Sequence, residues 1–436
     1  MPCIIDRLVG RRIWDSRGRP TVEVELHCAA GHIGRSSAPA GASRGTNEAI
    51  DLRDGGAEFG GWGVTKAVAN VNGPIRKALI GMDATDQSSI DQILIELDGT
   101  PNKSRLGGNA TIATSTATLH LAAASHGLPL WRYLAHGSQV RLPLPEIQIF
   151  GGGVHAGKRL DIQDLMVMPI GARSFDDALV MAAEVYRIAG QTMAEMGRVT
   201  GVADEGGWWP LFDSNEEALE ILSRSIAKAG YANGEVGISL DIAASQLGCN
   251  GRYRTELDRR EYSRDEWLEV LLGWVRRYPI LSVEDPFAED DLPGMQAFTA
   301  AVGDRVQVIG DDFLFTNAER VINAAQQNAC NAVLLKPNQA GTITEMRNTL
   351  KAAQNAGFGT IASARSGETE DVTIVHLAVG WNIGQLKVGA FARSERMAKW
   401  NEGLRIEEEL EADCIFAGYA ALPVKISSPG RRPHEC

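Results

Sequence analysis

The spacing of hydrophobic and polar positions changes character along the chain. Thr21 to Leu26 reads T-V-E-V-E-L, a period-two alternation that predicts an antiparallel strand with one wet face. Residues 113–124 carry small and apolar side chains at helical spacing, and Gly127-Leu128-Pro129 closes that helix. Beyond Leu142-Pro-Leu-Pro145, short apolar runs alternate with amphipathic stretches such as the helix predicted over 216–228. Six of these runs end in an ionisable residue: Asp241, Glu284, Asp311, Lys336, Arg365 and Lys387. Strands alternating with helices predict an α/β barrel, whose post-strand loops bring charges distant in sequence to one rim.

The chain's 436 residues exceed what one core organises, so the expected division is a barrel and a smaller domain. Residues 1–140 form a predicted α+β capping domain, 141–425 the barrel, and the breaker-rich 426–436 a disordered tail. A net charge of −12 argues against nucleic acid or an anionic membrane as partner. The six cysteines lack paired spacing, so reduced thiols are expected. Charge interrupts the N-terminal apolar run early and no stretch is long enough to span a bilayer, which makes the cytoplasm the expected location.

The carboxylates Asp241, Glu284 and Asp311 carry the strongest chemical signal. Each alone reads equally well as a helix cap, whereas three at successive strand ends beside two lysines suit a hard divalent cation such as Mg²⁺. Lys336 ends an apolar run, and burial beside a second cation, Lys387, is expected to lower its pKa toward that of a usable base. Two lysines facing a divalent metal suit abstraction of a proton next to a carboxylate, where the enolate's charge must be neutralised as it develops. The segment SSAPAGASRG, residues 36–45, is small and turn-rich and reads as a mobile lid or an ordinary exposed loop.

The chain resembles the enolase family nearly end to end, through DSRGRPTVEVEL, APAGASRG, ELDGTPNKSRLGGNA, ADEGGWWP, SLDIAAS, YPILSVEDP, IGDDFLFTN, LLKPNQAGT, ARSGETED and QLKVGAFARSERMAKWN. The resemblance implies a smaller N-terminal domain packed on an enolase-type (β/α)8 barrel, a homodimer or higher homo-oligomer, and Mg²⁺-dependent chemistry on 2-phosphoglycerate. By motif position Asp241, Glu284 and Asp311 would hold the first metal and Ser43 would join the second. Lys336 would be the base, Lys387 the cation facing the substrate carboxylate, and Glu205 the group that helps hydroxide leave. His155 and Gln163 would line the substrate, His155 and Asp164 would belong to the catalytic set with Lys336 and Glu205, and Arg365 and Ser366 would hold the phosphoryl group, a good match for a guanidinium fork.

Several positions depart from the family pattern. Ala364 stands where enolases have His, Gly151 replaces Asn, Asp164 replaces Glu, Gln246 replaces Glu, and Ala40 replaces a lid Ser. Trp208 and Trp209 replace a smaller pair. Lost volume at Ala364 and Gly151 implies room for a bulkier phosphorus group. That points to the enolase-like carboxyphosphonoenolpyruvate synthases of phosphinate (phosphinothricin-type) biosynthesis, taking a CMP-activated phosphonate together with 2-phosphoglycerate. The alternatives are a glycolytic enolase, converting 2-phosphoglycerate to phosphoenolpyruvate, and an inactive enolase-fold binding protein.

Overall fold

In the computed structural model, residues 2–42, 45 and 47–424 are described. The expected lid residue Ser43 and the tail at 426–436 lie outside them. The chain opens with a three-stranded antiparallel meander, Ile5–Trp14, Pro20–Cys28 and Ile33–Ser37. In the second strand Val22, Val24 and Leu26 are buried while Glu23 and Glu25 stay half-exposed, as the alternation predicts. Helix Gly108–Ser125 lies across this sheet so closely that a Cβ at Gly34 would strike the helix backbone at Ala117 and Leu121. Small residues there bring helix and sheet into contact, which also explains why nearly all of that helix is buried. The helix ends at Ser125, and Gly127 follows in the left-handed region at φ 64°.

The rest of the described chain is built around a closed eight-stranded barrel. Its strands are Leu144–Gly151, Asp164–Met168, Gly237–Asp241, Ile280–Glu284, Gln307–Gly310, Ala332–Leu335, Gly359–Ser363 and Gln385–Gly389. The last pairs in parallel with the first and closes the ring. The second strand runs antiparallel to both of its neighbours, so the barrel begins with a β-hairpin-like pair before the βα repeat sets in. Because Asp164 starts that reversed strand while Asp241 ends its neighbour, the two pair in register at one rim.

The predicted helix near 216–228 spans Asn215–Lys228, capped by the Ser214 hydroxyl accepting from Glu217 N–H. Cys3, Cys28, Cys249, Cys330 and Cys414 are free thiols. Among the described residues no helix is long and apolar enough to cross a membrane.

Candidate active site at the barrel rim

Strand geometry fixes the site. Asp241 and Glu284 end neighbouring parallel strands in register, Lys387 ends its run in the strand Gln385–Gly389, and Asp311 and Lys336 directly follow theirs. Nine of the predicted residues line one cleft: His155, Gln163, Asp164, Glu205, Asp241, Lys336, Arg365, Ser366 and Lys387. Its empty volume is about 260 Å³ including the open mouth. Glu284 and Asp311 lie one contact away, bonded to the two lysines.

Lys387 is surrounded by acid. Its Nζ lies 2.7 Å from Glu284 Oε2, 3.0 Å from Asp241 Oδ2 and 3.6 Å from Asp164 Oδ2. Burial works against its charge, but Asp241 and Glu284 outweigh burial and raise its pKa well above the usual lysine value. One ammonium does not satisfy three buried carboxylates. Glu284 is accordingly pushed well above the usual carboxyl range, by burial first and by Asp241 next, and its Oε1 has no hydrogen-bond partner among the described residues. An orphaned buried oxygen amid an excess of hard oxygen donors fits a divalent cation.

Lys336 forms an ion pair with Asp311, whose other oxygen accepts from Gln339 Nε2 at 2.9 Å. Burial alone would lower the lysine's pKa as expected from sequence. Asp311 outweighs burial and raises it, so the direction is opposite to that expectation. Asp311 is itself lowered, Lys336 overcoming the cost of burial.

Across the cleft, His155 Nδ1 lies 3.3 Å from Asp164 Oδ1 and its Nε2 4.0 Å from Glu205 Oε1. Those two acids overcome burial and raise the imidazole's pKa. Glu205 is held by the segment that follows the last barrel strand: its carbonyl accepts from Ala390 N–H at 2.9 Å. Gly206 follows at φ 91°, where a Cβ would strike the Ala392 carbonyl, so glycine is required. Gln163 donates to Asp241 Oδ2 at 2.9 Å and accepts from Gln246 at 2.5 Å.

Arg365 is buried between two domains. Its Nη1 meets Glu48 Oε2 at 2.9 Å and Asn338 Oδ1 at 3.1 Å. Ser366 Oγ accepts from Ala42 N–H at 2.8 Å, and the Ala40–Gly367 bridge ties the same segment to the barrel.

Among the described residues two clusters bring three ligand-type side chains within 4.8 Å of one another: His155, Asp164 and Glu205, and Asp285, Asp311 and Asp312. Asp241, Glu284 and Asp311 instead divide between the lysines in this arrangement. Sequence reasoning missed Asp285, whose carboxylate accepts from the backbone N–H groups of Asp311 and Asp312 at 2.9 and 2.7 Å. It also missed Glu48, Asn338 and Gln339; the last two follow Lys336 in the quoted LLKPNQ run, but nothing in the pattern assigns them partners.

A strand-end acid and lysine constellation on a barrel with a reversed second strand defines a metal-dependent lyase of the enolase superfamily. Residues 5–134 match the enolase N-terminal domain, and residues 139–424 match the enolase C-terminal TIM barrel domain. The chain is 48% identical over 416 residues to Enolase 1 of Desulfitobacterium hafniense strain Y51, covering 94% of this chain and 95% of that protein. The chain belongs to the enolase family.

That similarity overturns the expectation of a carboxyphosphonoenolpyruvate synthase and, with it, of a CMP-activated phosphonate as partner. The structure also corrects half of the volume argument behind it. A Cβ at Gly151 would strike Ala203 Cβ and lie 3.4 Å from Gln148 Nε2, so neighbouring side chains already fill the space left by the missing Asn. Ala364 does border a second cavity, of about 430 Å³ with its open mouth, that runs to Ile112, Thr116 and Lys399. This space shares Ser363 and Ala364 with the cleft.

Proposed function

We propose that the chain removes water from 2-phosphoglycerate to give phosphoenolpyruvate. The observation that carries this reading is the two-sided cleft: Lys336 and Lys387 among Asp241, Glu284 and Asp311 on one side, His155, Asp164 and Glu205 on the other. Asp241, Glu284 and Asp311 would hold Mg²⁺, with Ser43 joining a second ion. When bound, the metal supplies positive charge against the substrate carboxylate, which makes the neighbouring C–H acidic enough to break.

In this reading Lys336 Nζ takes the α-proton. Were Asp311 engaged as a metal ligand it would no longer serve as Lys336's counter-ion, and burial would then favour the neutral amine that a base requires. Lys387 faces the substrate carboxylate. Glu205 donates a proton to the departing hydroxyl, so the C–H electron pair becomes the new C=C bond and water leaves. His155, Gln163 and Asp164 position this face. Arg365 and Ser366 would take the phosphoryl group, and the segment 36–45, which begins at the end of the third strand, would serve as the lid.

The relative's name, Enolase 1, supports dehydration as the overall reaction. Cytoplasmic location and homo-oligomerisation belong to the same reading. Phosphorus NMR of 2-phosphoglycerate with the protein and Mg²⁺ tests it: a phosphoenolpyruvate signal that disappears on EDTA addition is expected. No conversion with Mg²⁺, or conversion indifferent to EDTA, would refute it.

A further inference from the structure

The first barrel strand, Leu144–Gly151, is buried at every position, yet it carries a carboxamide at Gln148 that is only 1% exposed. A buried amide is tolerated only when its oxygen and its N–H groups are both used. Gln148 uses both. Its Oε1 accepts from Gly207 N–H at 2.7 Å, and its Nε2 donates to Asp164 Oδ1. The partners dictate the amide's orientation, because a backbone N–H demands the oxygen and an ionised carboxylate demands the nitrogen.

Its surroundings are fitted to it. A Cβ at Gly207 would strike Gln148 Oε1, and a Cβ at Gly151 would lie 3.4 Å from Nε2. The residues it connects belong to separate elements. Asp164 begins the reversed second strand, while Gly207 closes the loop that presents Glu205. Between them stands His155, touching Asp164 at 3.3 Å and reaching toward Glu205 at 4.0 Å. The other oxygen of Asp164 has no hydrogen bond among the described residues and looks to Lys387 at 3.6 Å. Apart from His155, Gln148 is thus the side chain that hydrogen-bonds Asp164 among the described residues.

We propose that Gln148 is a positioning residue for the second half of the reaction: it locks Asp164 and the Glu205 loop in register so that the hydroxyl can be protonated as it leaves. This rests on the dehydration reading above. Gln148 touches neither lysine, so its loss acts on departure of the hydroxyl and leaves removal of the α-proton to Lys336.

The test compares two rates in D₂O with Mg²⁺ and 2-phosphoglycerate: α-hydrogen exchange into unreacted substrate and formation of phosphoenolpyruvate. Gln148→Glu keeps an acceptor for Gly207 but sets a second carboxylate against Asp164; Gln148→Leu removes both bonds. Thermal melts establish which variants fold, and the isosteric Glu variant retains the loop contact if the Leu variant does not. A hydrogen bond to a charged group contributes on the order of 10–100-fold, a loss expected here in elimination. Exchange and KM are expected to change by less than about threefold. Equal losses in exchange and elimination would show a merely structural role and overturn the assignment, as would unchanged elimination. A wild-type protein that neither exchanges nor eliminates would refute the dehydration reading itself, and the assignment would fall with it.

Discussion

Glu48 reaches across the domain boundary to hold Arg365, with carboxylate oxygens 2.9 and 3.4 Å from the guanidinium nitrogens. Both side chains are buried, and Glu48 Oε1 also accepts from Gly45 N–H at 2.9 Å. The pair keeps a buried cation charged and raises its pKa, Glu48 outweighing the penalty of burial. Removing one partner of such a pair strands the other, at a cost of about 3–5 kcal/mol. Glu48→Ala is therefore expected to lower the melting temperature, and inorganic phosphate, by pairing with Arg365, is expected to restore more stability to the variant than it adds to wild type. Equal stabilisation of both proteins in a thermal-shift titration would remove Arg365 from the anion site.

Lys336→Ala separates the base from the metal ligands. The variant should lose about 10²–10⁴-fold in dehydration, the usual contribution of a positioned general base. Calorimetric titration with Mg²⁺ should still show binding, because the carboxylates remain. Asp241→Asn and Glu284→Gln should reverse the pattern and weaken Mg²⁺ binding first. Retained turnover in Lys336→Ala would assign the base elsewhere.

Glu146 lies in the barrel interior, fully buried, with Oε2 accepting from Ser239 Oγ at 2.8 Å and Oε1 without a partner among the described residues. Burial raises its pKa despite the Ser239 bond and Lys387. An acid whose pKa is higher in the folded than in the unfolded state favours folding only while protonated. Its relative contribution is full below the unfolded value of about 4.3 and is lost as the pH rises through its folded pKa. Glu146→Gln mimics the protonated form, so it should raise the melting temperature at neutral pH, with the gain shrinking toward zero as the pH falls to about 4. A gain of equal size at both pH values would contradict the raised pKa of Glu146.

His155 gives the complementary sign. Asp164 and Glu205 raise its pKa above the ordinary imidazole value, so the stability of the charged cluster is fully present below about 6.5 and is lost as the pH rises through the folded value. His155→Gln should therefore narrow the stability difference between mildly acidic and alkaline solution. Melting curves across that range check it; an unchanged profile would mean that the cluster does not hold His155 protonated.

What could be read from the sequence was what periodicity encodes. A run such as I-S-L-D predicts both a buried strand and a charge at its end, so Asp241, Glu284, Lys336 and Lys387 could be gathered at one rim before any coordinates. The reversed second strand was not legible, because D-L-M-V-M is equally apolar in either direction. Nor was the titration of Lys336, since its nearest charge, Asp311, is 25 positions away and their contact depends on rotamers. Gln148 and Glu146 escaped notice for a related reason: a polar residue within an apolar strand carries no periodic signal, and its purpose lies in partners contributed by other strands. The volume argument from Gly151 failed because a missing side chain leaves space only when neighbours do not occupy it.

The most direct test of the central claim is proton NMR of 2-phosphoglycerate incubated with the wild-type protein and Mg²⁺ in D₂O. The expected result is loss of the α-proton signal together with the appearance of the vinyl protons of phosphoenolpyruvate, both halted by EDTA. An α-proton signal that persists unchanged, with no vinyl signal, would contradict dehydration at this site.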